Sequence, residues 1–234
     1  MGEPVRFDQL LARIQTMVRR HGVHNLNFVT PDHFLPHVTA LVTSLKTEGT
    51  DLPVIFNLSG YQSIPWLKAA ESSVDIYLPD FKYADSRLAA RLSTCRDYPG
   101  TALAAIAEMV RQKGFLNVFT SGRTLAKKGV LVRHLILPGY VQNSVNALSS
   151  LFLEFGKDVP ISLMSQYTPA VHQRDPLLNQ PVTGQTFNEV YDHAMSLGFE
   201  HLFVQFPQKD PKEGRASPPL LPDFQQPEPF RADA

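Results

Sequence analysis

The chain has 234 residues, 22 basic and 22 acidic side chains, and a hydrophobic fraction of 43%. That is enough apolar mass for one large domain, and the balanced charge provides no bulk field for nucleic acid or an anionic membrane. Its one cysteine, Cys95, rules out an internal disulfide framework and an all-cysteine metal site within this chain. No apolar run approaches the ~20 residues of a membrane span, and no basic and apolar leader opens the sequence, so the expected compartment is the cytoplasm.

Residues 7–21 place Phe7, Leu10, Leu11, Ile14, Met17 and Val18 on one helical face, with Gly22 in the stop position. An apolar run at 25–29 reads as a strand and ends at Thr30-Pro31-Asp32-His33. A helix over 33–47 follows, closed by Gly49. Strand 53–57, a short helix near 63–71 and strand 74–78 come next. One or two helices fill 85–114, the stronger at 99–113 before Gly114. Residues 115–129 suggest a small hairpin or flap. Strand 130–137, helix 143–155, strand 160–164, a long loop to about 185, helix 186–197 and strand 201–205 complete the alternation. Gly22, Gly49, Gly114, Gly156 and Gly198 each follow a helix, a regularity that supports the whole pattern. The expected class is α/β, closing into a full or partial barrel over residues 1–206. From 207 to 234, seven prolines interrupt a polar stretch, read as an extended or disordered tail.

Polar groups collect where these strands stop. In a parallel α/β sheet those positions gather at one face, where ligands bind. Asp80 and Lys82 lie two apart at a strand end and point to one side. They suit a zwitterionic or hydroxyl-rich ligand, or a loop-closing ion pair; a desolvated Lys82 could also form a Schiff base, as in an aldolase. Arg133 and His134 are neighbours in an apolar strand and face opposite ways. Arg133 calls for an anionic partner or ligand, and His134 reads as a structural histidine. Thr30, Asn57, Ser59 and Gly60 are explained equally by turn chemistry and by ligand contact. His33 and His37 have helical metal spacing, but Pro36 lies between them and no third ligand is evident. No glycine-rich phosphate loop and no nucleophile elbow occur.

Taken in order, His24 to Phe34, Asn57-Leu58-Ser59-Gly60-Tyr61, Val74 to Tyr83 with Asp80-Phe81-Lys82, Arg133 to Gly139 and Ser162 to Pro169 resemble the radical S-adenosylmethionine family. The branch is the one related to the pyruvate formate-lyase activating enzyme, and the resemblance covers roughly residues 5–206. It implies an incomplete (β/α) partial barrel lacking its first strand. It also implies S-adenosylmethionine and a [4Fe-4S] cluster at the strand ends, and a 5′-deoxyadenosyl radical that takes a hydrogen atom from a partner's glycine. The implied cofactor-contacting residues are Thr30, Asn57, Ser59, Asp80, Lys82 and Arg133. The family's Cys-x3-Cys-x2-Cys loop has no counterpart here, and Thr30-Pro31-Asp32-His33 stands in place of its Gly-Gly-Glu motif. The resemblance therefore implies a protein truncated before its cluster motif, unable to cleave S-adenosylmethionine as it stands. Its partner would be a glycyl radical enzyme or the missing cluster-bearing segment. The alternative is a non-catalytic ligand-binding or interaction module on the same scaffold.

Overall fold

The computed structural model describes residues 4–116, 125–169 and 171–207. Helix α1 (Phe7–His21) leads into strand β1 (Leu26–Val29). A 3₁₀ turn (Pro31–Phe34) precedes α2 (Leu35–Thr47). The sequence reading ran one helix through both. The tighter turn arises because Pro31 and Pro36 remove two amide donors from the start of the segment. Strand β2 (Val54–Leu58), helix α3 (Ile64–Ala70) and strand β3 (Ile76–Pro79) follow. Two helices then appear, α4 (Ser86–Ser93) and α5 (Tyr98–Lys113). Asp85 caps α4 by accepting from the amides of Arg87 and Leu88.

The strand expected over 130–137 is two pieces, β4 (Gly129–Val130) and β5 (Val132–Leu135). They belong to different sheets, so this run carries the chain from one to the other. Helix α6 (Val141–Phe155), strand β6 (Ile161–Met164), a 3₁₀ turn (Pro176–Asn179), helix α7 (Gly184–Leu197) and strand β7 (Leu202–Gln205) complete the order. In the stretch expected as a hairpin, Phe115 pairs with Val130 in parallel, and residues 117–124 lie outside the described residues. The expected tail lies almost wholly outside them too.

Every strand pair is parallel. One sheet has the order β1-β2-β3-β4 and the other β5-β6-β7. A parallel bridge between Asp80 and Arg133 joins them, backed by the Phe81 amide donating to the Arg133 carbonyl at 2.8 Å. Strand alternation sorts the side chains into two faces. Phe28, Phe56, Tyr77 and Val130 stand in register on one face, toward the helices. There Phe56 meets Trp66 of α3, and the Tyr77 hydroxyl donates to Gln112 of α5 at 2.7 Å. Phe56 and Tyr77 are fully buried, and removing either ring would cost about 3–5 kcal/mol. The opposite face is half-open: Ile55, Asn57, Leu78 and Arg133 are only partly buried. This face, at the carboxyl ends of the strands, carries the candidate site.

Candidate functional site

Three of the anticipated residues form one charged cluster. Asp80 Oδ1 accepts from Arg133 Nε at 2.8 Å and Nη2 at 2.5 Å, and Asp80 Oδ2 lies 3.2 Å from Lys82 Nζ. The Asp80 side chain is 15% exposed, Arg133 24% and Lys82 40%. Two cations thus share one carboxylate, and the cluster carries a net positive charge facing the half-open side of the sheet. Such a cluster favours a carboxylate or another anionic group. Lys82 is partly exposed and paired with Asp80.

The loops after β2 and β3 are drawn together by two features. Gly60 has φ +81°, and a Cβ there would come within 2.0 Å of the Asp80 carbonyl oxygen, so only glycine permits this approach. Tyr98, at the start of α5, is 3% exposed. Its hydroxyl donates toward the carbonyls of Ser59 and Asp80, both at 2.9 Å, and accepts from the Lys82 amide at 3.0 Å. Burial raises the Tyr98 pKa, which keeps the phenol protonated and able to donate. Tyr61 stacks on Tyr98 with centroids 5.9 Å apart, and its hydroxyl donates to Asp97 at 2.7 Å. That hydrogen bond pushes the Tyr61 pKa up to about 12 and holds the Asp97 carboxyl below its ordinary value. Behind Lys82, Asn143 of α6 donates to the Lys82 carbonyl at 2.9 Å and accepts from the Ala84 amide at 3.0 Å.

His134 is fully buried, with one ring nitrogen 2.7 Å from the Phe81 carbonyl and the other 2.9 Å from Ser144 Oγ. It is the structural histidine that the alternation implied, and burial lowers its pKa.

Thr30, Asn57 and Ser59 continue the site toward β1. The Thr30 amide donates to the Asn57 carbonyl at 2.9 Å. Thr30 has φ 49° and ψ 55°, a left-handed conformation strained for a β-branched residue. Thr30 and Ser59 line a groove of about 1140 Å³, together with Asp32, His33, Phe34, Tyr61 and the apolar side chains of α1; Asn57, Asp80, Lys82 and Arg133 lie outside it. Two residues of this lining are tied together by buried Gln62, which donates to Asp32 Oδ1 at 2.7 Å and to Ser59 Oγ at 3.2 Å. Two buried acceptors there, Asp32 Oδ2 and Gln62 Oε1, have no donor among the described residues. Buried acceptors are rarely left unpaired, so these two atoms stand out within the fold. Among the described residues no group of three acidic, histidine or cysteine side chains could hold a metal ion.

Sequence reasoning found Asp80, Lys82 and Arg133 but missed Tyr98, Asn143 and Gln62. Tyr98 and Asn143 sit on helices away from the strand ends, Gln62 follows the Ser59 turn, and no local pattern marks any of them.

No protein-family profile matches the chain. An uncharacterized protein of Methanocaldococcus jannaschii is 21% identical over 186 residues, which are 79% of this chain and 50% of that protein. The chain thus spans about half the length of the curated relative it matches. Among solved structures, a domain of pyruvate-formate lyase-activating enzyme from Bacteroides vulgatus is similar, with a TM-score of 0.53 and 12% identity. The similarity covers 78% of this chain and 99% of that domain. A muconate cycloisomerase from Pseudomonas fluorescens gives a TM-score of 0.39 over 84% of this chain and 42% of its own. The activating-enzyme domain establishes a shared α/β fold. No described helix is long and apolar enough to cross a membrane.

Proposed function

We propose that this chain is the S-adenosylmethionine-binding part of a radical S-adenosylmethionine-type protein related to glycyl-radical-enzyme activating proteins. One observation carries the reading: Asp80, Lys82 and Arg133 converge beside the Ser59 loop at the carboxyl ends of parallel strands. The donor set suits the ligand's charges. Arg133 and Lys82 offer cations to its carboxylate, and Asn57, Ser59 and Thr30 offer amide and hydroxyl groups to its ribose.

The residues of this chain do not fit a [4Fe-4S] cluster. Such a cluster needs three or four thiolates, and the chain has Cys95 alone. On this reading the cluster-bearing segment comes from polypeptide outside these residues, and this chain by itself holds the ligand without cleaving it. The partner of the completed protein is a glycyl radical enzyme, and its compartment is the cytoplasm.

Binding of S-adenosylmethionine, measured by calorimetry on the purified chain, tests the reading. Arg133→Ala removes a cation from the carboxylate seat, and Asp80→Ala frees both cations from their fixed geometry. Each should weaken binding by about 1–3 kcal/mol, the range for a charged hydrogen bond. Equal affinity in the parent and both variants would sink the site assignment. The alternative, an interaction module without a small ligand, draws support from the open edge of β1, and complete absence of binding would favour it.

A further inference from the structure

A cavity of about 320 Å³ opens between α4 and α6, lined by Asp85, Arg87, Arg91, Tyr140, Asn143 and Asn146 among others. It lies at the lower end of the ~300–1,000 Å³ range of small-molecule sites, with room for an amino-acid-sized group. Asp85 brings a carboxylate, but its Oδ1 is taken by the Arg87 and Leu88 amides at 2.7 and 3.3 Å. Arg87 is exposed, and no carboxylate among the described residues pairs with its guanidinium. Asn146 accepts from Gln142 through Oδ1 at 2.9 Å, which leaves its amide nitrogen to donate. Two guanidinium groups and an amide nitrogen, against one committed carboxylate, suit an anion.

Arg91 and Tyr140 show which anion fits. Arg91 Nη2 donates to the Tyr140 hydroxyl at 2.6 Å, with the guanidinium carbon 5.1 Å from the ring centroid. The Tyr140 hydroxyl in turn donates to Asp175 Oδ2, and Arg91 Nη2 lies 3.7 Å from the same oxygen. Burial, aided by the Asp175 hydrogen bond, raises the Tyr140 pKa, so the phenol keeps its proton for an acceptor. The pair is thus already built around a carboxylate. Asp175 is not part of the cavity lining, so it takes these donors from outside, and a ligand in the cavity meets them from within.

Asp175 belongs to the segment between β6 and α7. It caps the 3₁₀ turn Pro176–Asn179 by accepting from the Leu177 amide at 3.1 Å. Gln173 closes the same segment on itself: its amide donates to Asn179 Oδ1 at 2.7 Å, and Asn179 Nδ2 donates to its carbonyl at 2.9 Å. Leu178 and Val182 are buried and anchor this segment in the core. The outer part, 171–177, is held less firmly. Val171 is 70% exposed and Leu177 46%, and Leu177 rests on Gly139, where a Cβ would meet its side chain at 2.7 Å. Among the described residues, the polar ties from this outer part to the barrel run from Asp175 to Tyr140 and Arg91. Long loops of this kind are uncommon in compact domains unless they serve a function.

We propose that the cavity between α4 and α6 binds a carboxylate group, which takes Arg91 and Tyr140 from Asp175 and releases the outer part of this segment from the Gly139 turn. Arg87 and Asn146 hold the second oxygen. One carboxylate replaces another on the same donors, so the two states lie close in free energy and a ligand of modest affinity shifts the balance between them. The site uses neither Asp80, Lys82 nor Arg133, and so stands apart from the S-adenosylmethionine reading.

The test titrates two probes, propionate and a capped glycine-glutamate-glycine tripeptide, into the isotopically labelled chain. Side-chain resonances of Arg87, Arg91 and Asn146 should move together, with a Kd of about 1–10 mM. Hydrogen exchange at the Gln173 and Leu177 amides should quicken by about threefold or more. Tighter binding of the tripeptide assigns the carboxylate to a polypeptide side chain, and equal binding assigns it to a free acid; both support the proposal. A tripeptide with glutamine in place of glutamate should have no effect. Arg87→Gln, at an exposed position, should weaken binding by about tenfold or more. Asp175→Asn keeps the cap on the 3₁₀ turn but weakens the competitor for Arg91 and Tyr140, so it should tighten binding and quicken the exchange without any probe. Shifts confined to Lys82 and Arg133 would place the carboxylate on the charged cluster and overturn the proposal. So would probe bound with unchanged exchange in the parent chain, equal affinity in Asp175→Asn, or no saturation by about 50 mM.

Discussion

Tyr98→Phe deletes one oxygen atom and tests whether the site is held by a single buried hydroxyl. That oxygen donates toward the Ser59 and Asp80 carbonyls and accepts from the Lys82 amide. The ring would stay packed between Tyr61, Phe81 and Tyr83, so the loss is polar and not a cavity. Losing the donated bond costs about 1 kcal/mol, and stranding the Lys82 amide adds about 1–3 kcal/mol. The sum is roughly 3 kcal/mol, which for a chain of this size lowers the melting temperature by roughly 6–12 °C. Thermal and urea denaturation of parent and variant would measure it, with an unchanged urea slope confirming that the folded state is intact. Ligand affinity should fall as well, because the hydroxyl fixes the backbone at Ser59, Asp80 and Lys82 together. A variant melting within about 1 °C of the parent would refute the argument, since one pair-worth of buried hydrogen bonding exceeds that.

Gly60→Ala should be more damaging than its size suggests. The Cβ meets the Asp80 carbonyl oxygen at 2.0 Å in a left-handed backbone, so the β2 and β3 loops must separate, with a loss of at least about 2 kcal/mol in urea titration. Stability within about 0.5 kcal/mol of the parent would show that the loops are not locked there. His134 makes stability depend on pH. Buried and neutral in the fold, its pKa lies below the ordinary 6.5, so the unfolded chain binds the extra proton. Its contribution is therefore complete above about pH 6.5 and is lost as pH falls below that value, with a slope of up to about 1.4 kcal/mol per pH unit. The stability of His134→Gln should fall less steeply between pH 7 and 5; parallel curves would contradict this.

The sequence by itself determined the element order and singled out the charged residues at the strand ends. Helix and strand periods are local, and each glycine stop lies next to the helix that it ends, so nearly every element was legible within a residue or two. Asp80, Lys82 and Arg133 were legible for a similar reason. Charged side chains at the ends of apolar runs are anomalous wherever those runs pack, and alternation fixes the side to which they point. Only the tertiary structure decided that Arg133 reaches Asp80 across 53 residues, because strand adjacency is a non-local property. The split of the 130–137 run has the same origin: nothing in Val130 to Leu137 shows that its first part pairs with β3 and its second with β6. Tyr98 and Gln62 were equally hidden, since a tyrosine before a proline and a glutamine in a turn carry no local signature. Their roles come from carbonyls and carboxyls that the chain brings to them only after the strands have paired. The edge of β1 is a different case: the resemblance to a barrel lacking its first strand already implied it, and among the described residues β1 pairs with β2 alone.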